Sequence, residues 1–178
     1  GKGIANSSGL VGKYIMDTVG SDMSGQIPAL ENLPAHNDDG AGGCHFYSPW
    51  WLYQEQKAGK MDFARGYHIE ISGTRGMPKG NNPVPGHVLQ GLYGTELKEA
   101  ARRYYGSFIH IACRGEMIPN EGSFAELDPE VKDKWGIPVM KWHWKWSDNE
   151  WNMAVHAQKT FAEIFESAGG KGLFDPKR

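Results

Sequence analysis

The sequence predicts an α+β domain in which a largely antiparallel sheet carries helices on one face and leaves the other face to roof a pocket. Three stretches carry that reading. From Phe108 to Ile118 side chains alternate: Ile109, Ile111, Cys113 and Met117 point one way, and Phe108, His110, Arg114 and Glu116 the other. From Val139 to Trp146 the alternation is cleaner, with Met140, Trp142, Trp144 and Trp146 on one side and Lys141, His143 and Lys145 on the other. Successive strand residues point to opposite faces, so each run describes a strand with one apolar and one polar side. Behind the second run, Ser147-Asp-Asn-Glu150 has the form of a capping box, which satisfies otherwise orphaned backbone N–H groups. Trp151, Ala154, Val155, Phe161, Ala162, Phe165 and Ala168 then recur at helical spacing, and Gly169 and Gly170 end the helix. On this reading Trp142, Trp144 and Trp146 face that helix, with Trp151, Val155 and Phe165 against the sheet.

The remaining elements follow in order. Residues 4–17 read as a turn and a short helical or extended piece, and Thr18 to Ile27 as a Gly-interrupted strand ending before Pro28. From Pro28 to Gly43, Pro, Asn, Asp and Gly dominate and no periodicity survives, so this is loop. Cys44 to Tyr47 reads as strand, and Ser48 to Glu55 as a short helix with Ser48 as cap and Pro49 in the first position. Gly66 to Ser72 alternates again, with Tyr67, Ile69 and Ile71 on one face. Gly73 to Gly91 is a long loop, and Thr95 to Tyr105 a helix whose early Glu96 and Glu99 and late Arg102 and Arg103 suit the macrodipole. Strands with one polar face, separated by helices, give a mixed domain and not a parallel doubly wound one.

Composition limits the function classes. At 178 residues the chain makes one domain, 1–178, with a sizeable core. A formal charge of -2 gives no bulk reason to expect nucleic acid or an anionic membrane as partner. No apolar run approaches the ~20 residues of a membrane span. No signal peptide is visible, no compartment is fixed, and the start at Gly-Lys-Gly suits a processed or excised piece. The 7 tryptophans call for either an aromatic core or an aromatic surface awaiting a partner. Cys113, on an apolar strand face, reads as a buried free thiol, and Cys44 adds nothing to fix a redox compartment.

Few residues are arranged for chemistry. Gly40-Ala-Gly-Gly43 lacks the preceding strand and full spacing of a phosphate loop and reads as plain loop. His68 and Glu70 share a strand face, but the clustered ligands of a structural zinc site are missing. If the two strong strands lie in one sheet, His110, Arg114, Glu116 and His143 share its polar surface. That quartet is the candidate substrate-binding surface; the alternative is an ordinary hydrated sheet face.

The central stretch resembles a known family. Glu116-Met-Ile-Pro-Asn-Glu121, Leu127-Asp-Pro129, Lys132-Asp133 and Trp135-Gly-Ile-Pro-Val139, with the aromatic strand that follows, are similar to the substrate domain of the glucose–methanol–choline (GMC) oxidoreductases, in their bacterial sugar and polyol dehydrogenase branch. Ala5 to Asp17 resembles the link by which those enzymes pass from flavin domain to substrate domain. The usual Asp-His there is Asp17-Thr18 here, so no role for that His carries over. The resemblance implies a substrate-binding domain of a FAD-dependent enzyme acting on CH–OH groups of sugars, polyols or alcohols, with hydride passing to the flavin. The partner is then the flavin domain of the same parent protein. It also implies FAD in the intact parent and none in this chain alone, and no catalytic residue within it. If the polar face roofs the pocket, exposed loop aromatics such as Trp50, Trp51 or Tyr93 would close the rim or dock the partner domain. The alternative is a freestanding, non-catalytic binding domain with the same fold.

Overall fold

The computed structural model describes residues 4–33, 45–72, 84 and 86–173. Its fold is α+β, built on a five-stranded sheet of order β2-β3-β4-β1-β7. The strands are β1 (Thr18–Gln26), β2 (Phe46–Ser48), β3 (Tyr67–Ser72), β4 (Phe108–Glu116) and β7 (Lys171–Leu173), and every neighbouring pair is antiparallel. Two further strands, β5 (Phe124–Lys132) and β6 (Pro138–His143), form a separate two-stranded ribbon. The helices are α1 (Tyr53–Lys57), α2 (Gly86–Leu89), α3 (Gly94–Tyr104) and α4 (Asp148–Ser167). No helix among the described residues is long and apolar enough to cross a membrane.

The alternation read in β4 is the alternation observed: Ile111, Cys113 and Met117 are buried, and His110, Arg114 and Glu116 are exposed. The buried side meets α4. Val19 and Met23 of β1, Tyr67 and Ile69 of β3, and Ile111 and Cys113 of β4 pack with Met153, Ala154, Ala157, Phe161 and Phe165. Burying one such large apolar side chain stabilises by roughly 1.5–3 kcal/mol, so this layer is the main source of stability. Two glycines let the helix come close. A Cβ on Gly25 would fall on the Phe165 ring, and one on Gly115 would meet the Met153 sulfur. Cys113 is a buried free thiol, and burial pushes its pKa up to about 11. Cys44 lies outside the described residues, as do residues 34–43 with Gly40–Gly43, and residues 73–83 of the second long loop.

Two packing expectations fail. The tryptophan strand β6 is not in the main sheet, and Trp142, Trp144, Trp151 and Val155 are exposed; of the expected layer, Phe165 is buried and Trp146 partly so. The cause is β5, a strand the sequence reading did not assign. Phe124 pairs with His143 and Leu127 with Met140, and a turn at Asp133–Gly136 closes the hairpin. There the Asp133 carboxylate accepts from Trp135 N–H and Ile137 N–H, both at 2.9 Å, and Gly136 adopts a positive φ of 82°. Both edges of β4 are taken, by β1 and β3, so β6 has no place beside it.

The second failure is the rotation of α4 about its axis. Its buried positions are Glu150, Met153, Ala154, Ala157, Phe161 and Phe165, a stripe displaced from the one through Trp151 and Val155. Glu150 sets that rotation. Its Oε2 accepts from Ser147 N–H (2.8 Å) and the Ser147 hydroxyl (2.6 Å), and its Oε1 from Ile118 N–H (2.9 Å) and Asn149 Nδ2 (3.1 Å). Half of the capping box is thus recruited to tie the helix start to the chain leaving β4. Smaller differences have local causes. Ser48 pairs with Ile69 in β2, and Trp50 packs on Phe63 and Tyr67, so the short helix begins only at Tyr53. After α4 the chain returns as β7 beside β1, a strand too short to show as periodicity.

Burial alone would raise the Glu150 pKa, but the four donors outweigh it and hold the carboxyl below its usual range. A lowered folded pKa contributes stability that is present above the unfolded value and lost as pH falls through the folded one. Glu150→Ala is expected to lower unfolding free energy by about 2–4 kcal/mol, since it leaves buried donors unpaired. In urea titrations the Glu150→Gln deficit should be largest at neutral pH and shrink in acid. A Glu150→Ala protein as stable as the parent would contradict the clamp.

Candidate functional site

Opposite the α4 layer the sheet is polar and open. The register sets its residues in rows. Gly20, Arg114 and His68 lie side by side across β1, β4 and β3; Asp22, Ala112 and Glu70 form the next row, continued by Tyr47 of β2; Ser24, His110 and Ser72 form the third. Thr18 and Glu116 close one end. Neighbouring strands lie ~4.8 Å apart, so side chains in one row are within reach of one another. Small residues make room for long ones. Gly20 leaves space for the Arg114 guanidinium, and Ala112 is buried beneath its polar neighbours.

The groups on this face engage each other. His68 Nε2 meets Glu70 Oε1 at 3.0 Å, and Ser24 Oγ lies 3.2 Å from His110 Nδ1. Arg114 donates one bond to its neighbour's carbonyl, Cys113 O, at 3.0 Å, which aims the guanidinium along the sheet. Glu116 pairs with Arg65 at 3.6 Å, both exposed. The Tyr47 ring lies 5.6 Å from that of His68. The bond from His68 holds the Glu70 carboxyl below its usual range, and the nearby Arg114 charge acts in the same direction. Glu70 is therefore an anionic acceptor at neutral pH, flanked by imidazole and guanidinium donors.

The four residues expected on one surface do not all meet there. His110, Arg114 and Glu116 share the open face of β4, while His143 sits on the ribbon. There it bonds Glu126 Oε1 at 2.9 Å and stacks on Phe124 with ring centroids 4.1 Å apart. The premise that placed it with the others, one sheet for both strands, is corrected by the β5–β6 pairing. Conversely Asp22, Ser24, Tyr47, His68 and Glu70 belong to the face and went unassigned. The alternation of Gly66–Ser72 does place His68 and Glu70 opposite Tyr67 and Ile69; what it lacks is any sign that β3 lies beside β4. Of the rim aromatics, Trp51 and Tyr93 are exposed and Trp50 turns inward, into contact with Phe63, Tyr67 and His156. No group of three or more metal-ligating side chains gathers among the described residues.

The buried side of the same sheet holds a second polar cluster. Tyr67 Oη lies 2.8 Å from His156 Nδ1 and 3.3 Å from Thr160 Oγ1, and burial pushes the phenol up to about 12 and the imidazole down. Both stay neutral at physiological pH and serve packing.

What the fold and face define is a sheet domain with one side packed against a helix and the other lined by hydrogen-bonding side chains. No family profile matches the chain. It is 25% identical over 174 residues to the 2-methyl-1,2-propanediol dehydrogenase of Mycolicibacterium austroafricanum. That alignment takes in 97% of this chain, which spans 30% of the length of the dehydrogenase.

The His68–Glu70 contact can be checked by titration. His68→Ala should raise the Glu70 pKa toward that of a free carboxylate, followed by carbon NMR of the side-chain carboxyl. An unmoved Glu70 titration would show that the imidazole is not its partner.

Proposed function

We propose that this chain is the substrate-binding domain of an FAD-dependent oxidoreductase of the GMC family, acting on CH–OH groups of an alcohol, polyol or sugar. The observation that carries the reading is the alignment of nearly the whole chain with part of a dehydrogenase named for a diol. The GMC assignment within the oxidoreductases rests on the motif residues Glu116 to Val139. The open face supports it chemically: a diol or polyol presents several donors and acceptors, and Arg114, His110, Glu70 and Asp22 supply complementary groups on one rigid sheet.

In this reading the chain's residues orient substrate, and the remainder of the parent polypeptide supplies the flavin, whose part is to accept hydride. That the chain itself seats no dinucleotide is part of this proposal, and two features support it. The start of α4 is already filled by the Glu150 carboxylate, and α3 begins at Gly94 after the short α2, without a strand leading into it. Arg114 would donate to a hydroxyl oxygen, with its bond to Cys113 O fixing the direction. Glu70, kept anionic, would accept from a second hydroxyl, and His110 would bond a third group, steadied by Ser24. Glu116, at the end of the face and paired with Arg65, and His143, on the ribbon, would reach the substrate only if the parent's remaining chain brings ribbon and sheet end to it.

The test is kinetic and uses the parent protein expressed from its complete reading frame. Arg114→Ala and His110→Ala should each lower kcat/KM for a diol or polyol by about tenfold or more, the scale of one lost charged or well-oriented hydrogen bond, with flavin content unchanged. Unchanged kinetics in both would remove the open face from substrate binding. A reading frame without a flavin-binding segment would favour the freestanding, non-catalytic domain instead.

A further inference from the structure

The open face of the sheet has an aromatic edge. β2 is the outermost strand, and Tyr47 is its residue on the open side, set directly opposite Glu70 of β3. Phe46 and Ser48 oppose Ile71 and Ile69 and turn to the α4 side. The Tyr47 ring has two ring neighbours: His45 meets it edge-on with centroids 5.9 Å apart, and His68 lies tilted against it at 5.6 Å. Even so, Tyr47 is 56% exposed and takes no part in the core cluster. Phe108, at the far end of the same face, is by contrast half-buried, with its ring 6.3 Å from that of Tyr104. Tyr47 thus presents aromatic surface in the middle of hydrogen-bonding groups, and packing does not use it.

We propose that Tyr47 is a stacking platform for the C–H face of a cyclic polyol such as a pyranose, and that the open face prefers such a substrate to a small open-chain diol. The inference rests on the substrate-binding reading above and narrows its substrate class. A pyranose carries hydroxyls around its rim and C–H groups on its flat sides. Those C–H groups gain by leaving water against an aromatic ring, while the rim must find hydrogen-bond partners. The face supplies both side by side. Directly opposed residues of antiparallel strands have Cβ atoms ~4.5–5.5 Å apart, so a sugar lying on Tyr47 brings its rim to the Glu70 carboxylate. His68 bonds that carboxylate, and Arg114 stands opposite His68 in the neighbouring strand. Apolar contact with a few convergent polar groups is the pattern that fixes a small ligand's orientation. An open-chain diol has no flat C–H face and draws little from the ring.

The test compares kinetics of the parent protein on the best-used member of a set of pyranoses and on 1,2-propanediol. The unaltered protein should show the higher kcat/KM on the pyranose. Tyr47→Ala should cut that preference by about tenfold, chiefly through KM and with flavin content unchanged, and Tyr47→Phe should keep it. Should Tyr47→Ala fold poorly, saturation-transfer NMR on the unaltered protein gives the same answer: irradiating the Tyr47 ring protons should saturate the C–H protons of the bound pyranose. Higher kcat/KM on 1,2-propanediol, a preference that Tyr47→Ala leaves intact, or no transfer from the Tyr47 ring would each overturn the proposal. So would equal losses on both substrates, the result expected if the ring only packs against the parent's remaining chain. If Arg114→Ala impairs turnover while Tyr47→Ala does not alter the preference, the substrate-binding reading stands and this inference falls. Unchanged kinetics in both Arg114→Ala and His110→Ala would remove the two together.

Discussion

The four hydrogen bonds to the Glu150 carboxylate fix the arrangement on which the rest of the domain depends. A carboxylate removed from water is costly unless donors surround it, and here the donors come from two places at once: the helix start and the chain leaving β4. The anchor sets the angle at which α4 leaves the ribbon and the side it turns to the sheet. Met153, Ala157, Phe161 and Phe165 then follow inward at helical spacing, and Trp151 and Val155 are turned outward. One buried polar contact thereby turns Trp151 and Val155 to the surface.

Closing one side of the sheet leaves the other side free for chemistry. The helix layer takes the large apolar side chains of the core, and the opposite positions are mostly polar. They can hold Arg, His, Glu, Asp and Ser at almost no cost in stability, because those groups stay near water and bond each other. The rigid ladder spaces them, and Gly20 and Ala112 keep the floor low. Under the proposed reading, this surface orients a small polar molecule.

Legibility in the sequence followed the range of the interactions. The period-two alternation of Phe108–Ile118 and Gly66–Ser72, and the boundaries of α3 and α4, come from local geometry and could be read directly. Strand pairing could not. Nothing in Val139–Trp146 says whether it lies beside β4 or folds back on Phe124–Lys132, and the hairpin turn that decides it depends on Asp133 accepting two backbone donors. That single pairing removed His143 from the expected surface, and the unseen β3–β4 pairing added His68 and Glu70 to it. The helix stripe misled for a related reason. Trp151 and Val155 have the hydrophobicity of core residues, while Glu150, a charged residue, is the one that is buried.

The central claim is that the open face, and not the helix-covered one, receives the substrate. It is tested most directly by side-chain NMR of the histidines in the parent protein during titration with a non-reacting polyol. Resonances of His110 and His68 on the open face should shift with a common saturation curve, while His156, half-buried and bonded to Tyr67 on the α4 side of the sheet, stays fixed. Shifts confined to His156, with His68 and His110 unmoved at saturation, would contradict the account.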